Sequence, residues 1–213
     1  MTTIAAECTP ASRITRSLLG YGVLAGPFYI VVSLAQAFTR TGFDLSRHEW
    51  SLLETGPRGW IQSANLIITG LMVIACAIGV GRAIPSKWGA RLLAVYGLGA
   101  VGAGFFTADP MLGFPAGTPD GPPVAPSLHG TLHIVTAGIG FLAMIAACFV
   151  LARHLPAGAW RIATRTVGVL FLAGFAGVAS GGGSAALNIA FTLAIVIVWT
   201  WLALVARHLY KNA

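Results

Sequence analysis

Charge is what this sequence most lacks. Only 9% of its 213 residues are Asp, Glu, Lys or Arg, against about 25% in an ordinary soluble domain, whose surface water must solvate. With 56% hydrophobic residues, the chain has too little polar surface to cover itself in water; a surface solvated by lipid removes that need. Acids are scarcer than bases, 6 against 13. Cysteine is scarce too. Cys8 lies in the N-terminal tail, while Cys76 and Cys148 lie inside apolar runs. This excludes a disulfide framework and makes the latter two small buried hydrophobes. No internal repeat and no low-complexity linker divides the chain, so residues 1–213 read as one domain.

The net charge of +7 raises the question of nucleic acid. The basic residues, however, sit in short clusters at the ends of apolar runs, and no basic stripe with interleaved aromatics is present. Membrane orientation accounts for the excess, so membrane lipids are the expected partners and nucleic acid is not. No motif specifies a protein partner.

What is there is a series of long apolar runs. A helix needs about 20 mainly apolar residues to cross a hydrocarbon core of roughly 30 Å. Six segments qualify: Ser17–Phe38, Trp60–Val80, Trp88–Thr107, Ser127–Ala152, Ile162–Ser180 and Ser184–Ala206. The runs are continuous rather than alternating, which predicts an all-α, polytopic transmembrane bundle of six helices and not a barrel. Arg91 intrudes near the start of the third segment, where a long side chain can snorkel to the interface. The first segment ends in Ala35-Gln36-Ala37, which resembles a signal-peptide cleavage site. It is long for such a signal, so it reads as a retained span, with a kink expected at Gly26-Pro27.

Loop charges give an orientation. Arg13, Arg16, Arg82, Lys87, Arg91, Arg153, Arg161, Arg165, Arg207 and Lys211 all fall on one side of a six-span chain. That side should be cytoplasmic, together with both termini. The opposite side carries Arg40, Arg47 and Arg58 with five of the six acids, Asp44, Glu49, Glu54, Asp109 and Asp120. It also carries the two long loops, about residues 39–59 and 108–126. The second holds Pro110, Pro115, Pro119, Pro122, Pro123 and Pro126. Fixed φ angles lower the entropy of the free segment, so a shaped lid is expected.

Those loops carry a resemblance. Gly42-Phe43-Asp44 with Arg47-His48 and Ser51-Leu52-Leu53 is one block, and Gly59-Trp60-Ile61-Gln62 with Asn65 is the next. Then come Ala108-Asp109-Pro110 with Gly113-Phe114-Pro115, and Leu128-His129-Gly130 with His133. Together they resemble the bacterial multi-span family known as domain of unknown function 998, over nearly the whole chain. The resemblance implies a six-span protein of the bacterial cytoplasmic (inner) membrane. It implies no activity.

Several polar groups fall at one depth near the loop side. Gln62, Asn65 and Thr69 are spaced i, i+3 and i+7, so they share a helix face. His129 and His133 are i, i+4, Asp109 follows the third span, and Asn188 begins the sixth. Polar groups in an apolar helix should face the bundle interior. These residues, with His48 from the first long loop, are therefore expected to bind a lipid or other small ligand in one outward-facing polar cavity, the Asn65 face packing against the histidine face. The alternative is a metal site, Zn²⁺ held by His129 and His133 with Asp109, or else His48, as a further ligand. Some membrane-embedded hydrolases of the alkaline ceramidase type use His and Asp in this way, which would make the chain a hydrolase of lipids or amides at the outer leaflet. The Glu of an H-E-x-x-H motif is missing. Gly181-Gly182-Gly183 reads as a tight turn, with no Lys after it to make a phosphate loop. Trp60 and Trp88 read as interfacial anchors.

Overall fold

The computed structural model describes residues 9–181 and 183–213; Cys8 and Gly182 lie outside them. Six helices run α1 (Pro10–Thr39), α2 (Gly59–Ala83), α3 (Lys87–Phe105), α4 (Leu128–Leu151), α5 (Ala159–Ala179) and α6 (Ala185–Asn212). A short 3₁₀ helix, Trp50–Glu54, sits in the first long loop. No strand occurs among the described residues, only an isolated bridge between Met111 and Phe114. The fold is all-α.

Each helix packs against its neighbours in the chain, and α6 closes back onto α1. The result is a ring of six helices, with α4 against α5 the thinnest junction. At one end the first turns of α1 meet the last residue: the Arg16 Nε–H donates to the Ala213 carbonyl at 2.7 Å. Nearby, the Arg82 Nε–H donates to Thr15 Oγ1 at 3.1 Å. This is the terminal end. The two long loops cover the other, the loop end.

All helices except α3 are long and apolar enough to cross a membrane. At 19 residues, α3 rises about 28 Å at 1.5 Å per residue, close to the thickness of a hydrocarbon core. Lys87, Arg91 and its glycines dilute its apolar character, yet those glycines fix its place. A methyl group on Gly97 would lie 2.7 Å from the Gly70 carbonyl oxygen of α2. One on Gly99 would lie 2.7 Å from the Gly140 Cα of α4. The backbones on both flanks come this close only because no Cβ intervenes, the packing mode of small residues in membrane helices. The chain runs helically through Gly26-Pro27 in α1.

The tryptophans divide as their positions suggest. Trp60 and Trp88, at the starts of α2 and α3, are 70% and 66% exposed, as interfacial anchors are. Trp199 and Trp201 are buried in α6, and the Trp201 indole donates to Thr164 Oγ1 of α5 at 3.0 Å.

Candidate functional site: a cavity beneath the loops

The loop end is held together by side chains that grip backbone. In the first loop the Asp44 N–H donates to His48 Nδ1 at 2.9 Å. This leaves the proton on Nε2, which donates to the Leu112 carbonyl of the second loop at 3.0 Å. His48 is buried and ties two loops together; it is not an open ligand. Arg47 pairs with Asp120 at 3.0 Å in an exposed bridge between the same loops. Arg40, at the end of α1, donates to the Leu53 and Thr55 carbonyls and stacks over the Phe114 ring. Asp44 accepts from the Ser46 N–H and hydroxyl, bonds that hold its carboxyl below the usual range. The proline-rich segment is thus a fastened lid, as its composition predicts.

Beneath the lid, the polar residues form two groups, not one. Gln62 and Asn65 meet α1. Gln62 Oε1 accepts from Gln36 Nε2 at 2.8 Å and from Asn65 Nδ2 at 3.2 Å. Gln62 Nε2 donates to Ser33 Oγ at 3.1 Å, and Asn65 Nδ2 to the Tyr29 carbonyl at 3.2 Å. Thr69 donates back to the Asn65 carbonyl. The shared face predicted from spacing is real, but its partner is α1 and not the histidine face of α4. The sequence shows why only in hindsight, since Ser33 and Gln36 are the polar residues that α1 offers at that depth.

The second group centres on His133. Its Nδ1–H is shared among the carbonyls of Ala103 and Phe106, both at 2.9 Å, and Glu54 Oε2 at 3.1 Å. Every partner is an acceptor, so the proton must be on Nδ1. Ala103 is in the last turn of α3, where carbonyls lack helical partners; His133 therefore caps α3 from α4. Glu54 is completely buried. Besides His133 it accepts from the Ala108 N–H and from Ser63 Oγ, both at 3.3 Å.

Glu54 is the residue that reading the sequence missed. Asp109 was expected to meet the histidines. Instead Asp109 Oδ2 accepts from the Ser127 N–H at 2.8 Å, clasping the start of α4, and its carboxylate lies directly on Gly130, where any Cβ would collide with it. His129 turns outward, exposed, edge-on to Phe106. The i, i+4 spacing brought the two histidines to neighbouring turns without bringing both rings inside. The trio His129, His133 and Asp109 is therefore not assembled around one point. Among the described residues no three His, Cys, Asp or Glu side chains come together as a metal site would require. Asn188 is also apart, donating from Nδ2 to the Leu45 carbonyl at 2.9 Å. The one available hint to Glu54 was an acid directly after Leu52-Leu53, an apolar stretch that would carry it inward.

The space at the centre of the ring is a cavity of about 650 Å³, within the range of small-molecule sites, roughly 300–1,000 Å³. His133 and Asp109 line it; His129, His48, Gln62, Asn65 and Asn188 do not. Its walls are mainly apolar rather than polar as expected, with Phe141, Phe175 and Phe191 from α4, α5 and α6. A belt of larger aromatics forms one side. Tyr29 stacks on Trp199 with centroids 4.8 Å apart, Tyr96 lies 5.5 Å from Trp199, and Trp50 lies 5.7 Å from Tyr29. Glu49 and Trp50 enter from the first loop, and Pro122, Pro123 and Pro126 from the lid.

The family model described as "Protein of unknown function (DUF998)" matches residues 23–208. No curated protein and no solved structure matches the chain.

Proposed function

The chain belongs to the DUF998 family, and from that premise and the geometry we propose that it is a multi-pass membrane protein that holds a lipid-like, amphipathic molecule in its central cavity. The observation that carries the reading is the cavity's composition. Three phenylalanines from three helices face one space, and the lining side chains able to carry a full charge, Glu49, Asp109 and His133, all belong to the loop end. A molecule with an apolar tail and a small polar head fits this division, because each part is removed from an unlike solvent. The α4–α5 junction supports a lateral route, since it is the thinnest in the ring and both helices line the cavity.

The proposal includes a location. All six helices cross a bacterial inner membrane, the terminal end faces the cytoplasm, and the cavity lies toward the outer leaflet. The basic clusters support this, since ten of the 13 Lys and Arg residues belong to the terminal end. Reporter fusions after Asp120 should read as extracytoplasmic and those after Lys211 as cytoplasmic. A cytoplasmic reading at Asp120 would reverse the cavity's leaflet.

The binding claim is tested by what comes away with the protein. Organic extraction of the purified chain followed by mass spectrometry should yield one amphiphile per chain. A Gly138→Phe variant should yield none, because Gly138 lines the cavity and an added Cβ there meets only the tip of Phe175 at 3.9 Å. Equal recovery from both proteins would contradict the reading.

A further inference from the structure

The polar end of the cavity is chemically one-sided. Glu49 and Asp109 line it, and no lysine or arginine does. His133, the one lining side chain able to carry positive charge, already faces a carboxylate, Glu54. Of the three arginines at the loop end, Arg40 is committed to the Leu53 and Thr55 carbonyls and Arg47 to Asp120, and Arg58, exposed at the start of α2, does not line the cavity. A phosphate or carboxylate head would thus meet like charge with no cation to neutralise it, a penalty against the wrong ligand rather than a mere lack of contacts.

Two further observations concern what would be welcome there. Trp50 is 4% exposed, lines the cavity, and leaves its indole Nε1–H without a partner. That nitrogen has no open surface of its own, so Trp50 meets an occupant with its ring and not with its N–H. Trp50 follows Glu49 directly in the chain, and both line the cavity. Trp50 also belongs to the aromatic belt with Tyr29, Tyr96 and Trp199. Aromatic faces attract an ammonium within about 6 Å of a ring centroid, most strongly where water is excluded.

Resting on the reading of the cavity as a ligand site, we propose that its occupant is a cationic amphiphile: an ammonium head on an apolar tail. The ammonium lies by Glu49 and Asp109, near the aromatic belt, and the tail runs among Phe141, Phe175 and Phe191. Burial raises the Glu49 carboxyl above its ordinary range; an ammonium beside it favours the ionised form again.

The test uses the full chain in a neutral detergent and three probes with the same single brominated tail. Their heads are an amino alcohol, a neutral diol and a phosphate, and binding is read as quenching of tryptophan fluorescence. The amino alcohol should bind more tightly than the phosphate by about tenfold or more, the order expected of one charge-assisted contact. Glu49→Gln should bring the amino alcohol down to the level of the diol while leaving the diol unchanged. The series on the unaltered chain decides the matter even if a variant folds badly. Equal affinity for the three heads, or a preference for phosphate, overturns the cationic head and leaves the cavity reading standing. Failure of all three to bind in a saturable way overturns the cavity reading itself.

Discussion

The two flanks of α4 are built on opposite terms. On one side α2, α3 and α4 form a wall in which glycines let backbones touch, at Gly70 with Gly97 and at Gly99 with Gly140. On the other side α4 touches α5 toward the terminal end but faces α5 and α6 across open space at the cavity, and its glycine there, Gly138, has almost nothing near it. Both flanks are rich in small residues, so composition does not separate them. What separates them is whether the missing side chain is replaced by a neighbouring backbone or by nothing. The first arrangement holds a bundle together by close contact. The second leaves a chamber, and a tight wall elsewhere is what lets the fold tolerate it.

Substitutions should break this contrast in a graded way. The largest effect is expected at Gly97→Val, where the new side chain meets the Gly70 carbonyl and the backbone of α2. Overpacking typically costs 1–3 kcal/mol, and here the obstacle is backbone, so a loss of about 3 kcal/mol or outright failure to fold is expected. Thermal melting in detergent reads it. His133→Leu comes next. It leaves the buried Glu54 carboxylate and the last carbonyls of α3 without their donor, costing on the order of 3 kcal/mol. The double variant His133→Leu/Glu54→Leu should recover part of that loss, because no charge is then stranded. A double variant no more stable than the single would count against the pair.

Asn65→Leu is expected to be milder, about 1–2 kcal/mol. Its amide donates to the Tyr29 carbonyl and Gln62, but Asn65 Oδ1 has no partner to lose. Hydrogen exchange should show the loosening between α1 and α2, not at α4. Smallest of all is Gly138→Phe. Its stability should lie within about 1 kcal/mol of the parent, since the ring enters open space and a helix-interior glycine is removed. A melting-temperature drop as large as that of Gly97→Val would mean that the two flanks are not different after all.

How far the sequence foretold this follows the same division. Helices, the lid and the anchoring tryptophans were legible because each rests on a local signal: a long apolar run, a cluster of prolines, an aromatic at a helix start. Facial periodicity also held, in that Gln62, Asn65 and Thr69 do share a buried face. It could not say which helix that face meets. Ser33 and Gln36 lie far upstream of it, and only the closed ring of helices brings α1 there. The acid partner of His133 was misplaced for a related reason. Asp109 is nearer in the chain and at the right depth, but its carboxylate is taken by the start of α4, and Glu54 reaches His133 from a loop whose path no periodicity describes. The cavity was expected to be polar because its candidate residues were chosen for polarity. Its phenylalanines lie within ordinary apolar runs, where nothing in the sequence sets them apart.

The central claim is that the open flank of α4 houses a molecule. The most direct measurement is crystallographic: the protein grown with an amphiphile brominated near the end of its tail, and anomalous density collected at the bromine edge. The account predicts one strong peak per chain among Phe141, Phe175 and Phe191, absent from crystals of Gly138→Phe. Bromine found only on the lipid-facing surface, with the cavity closed or filled by side chains, would contradict it.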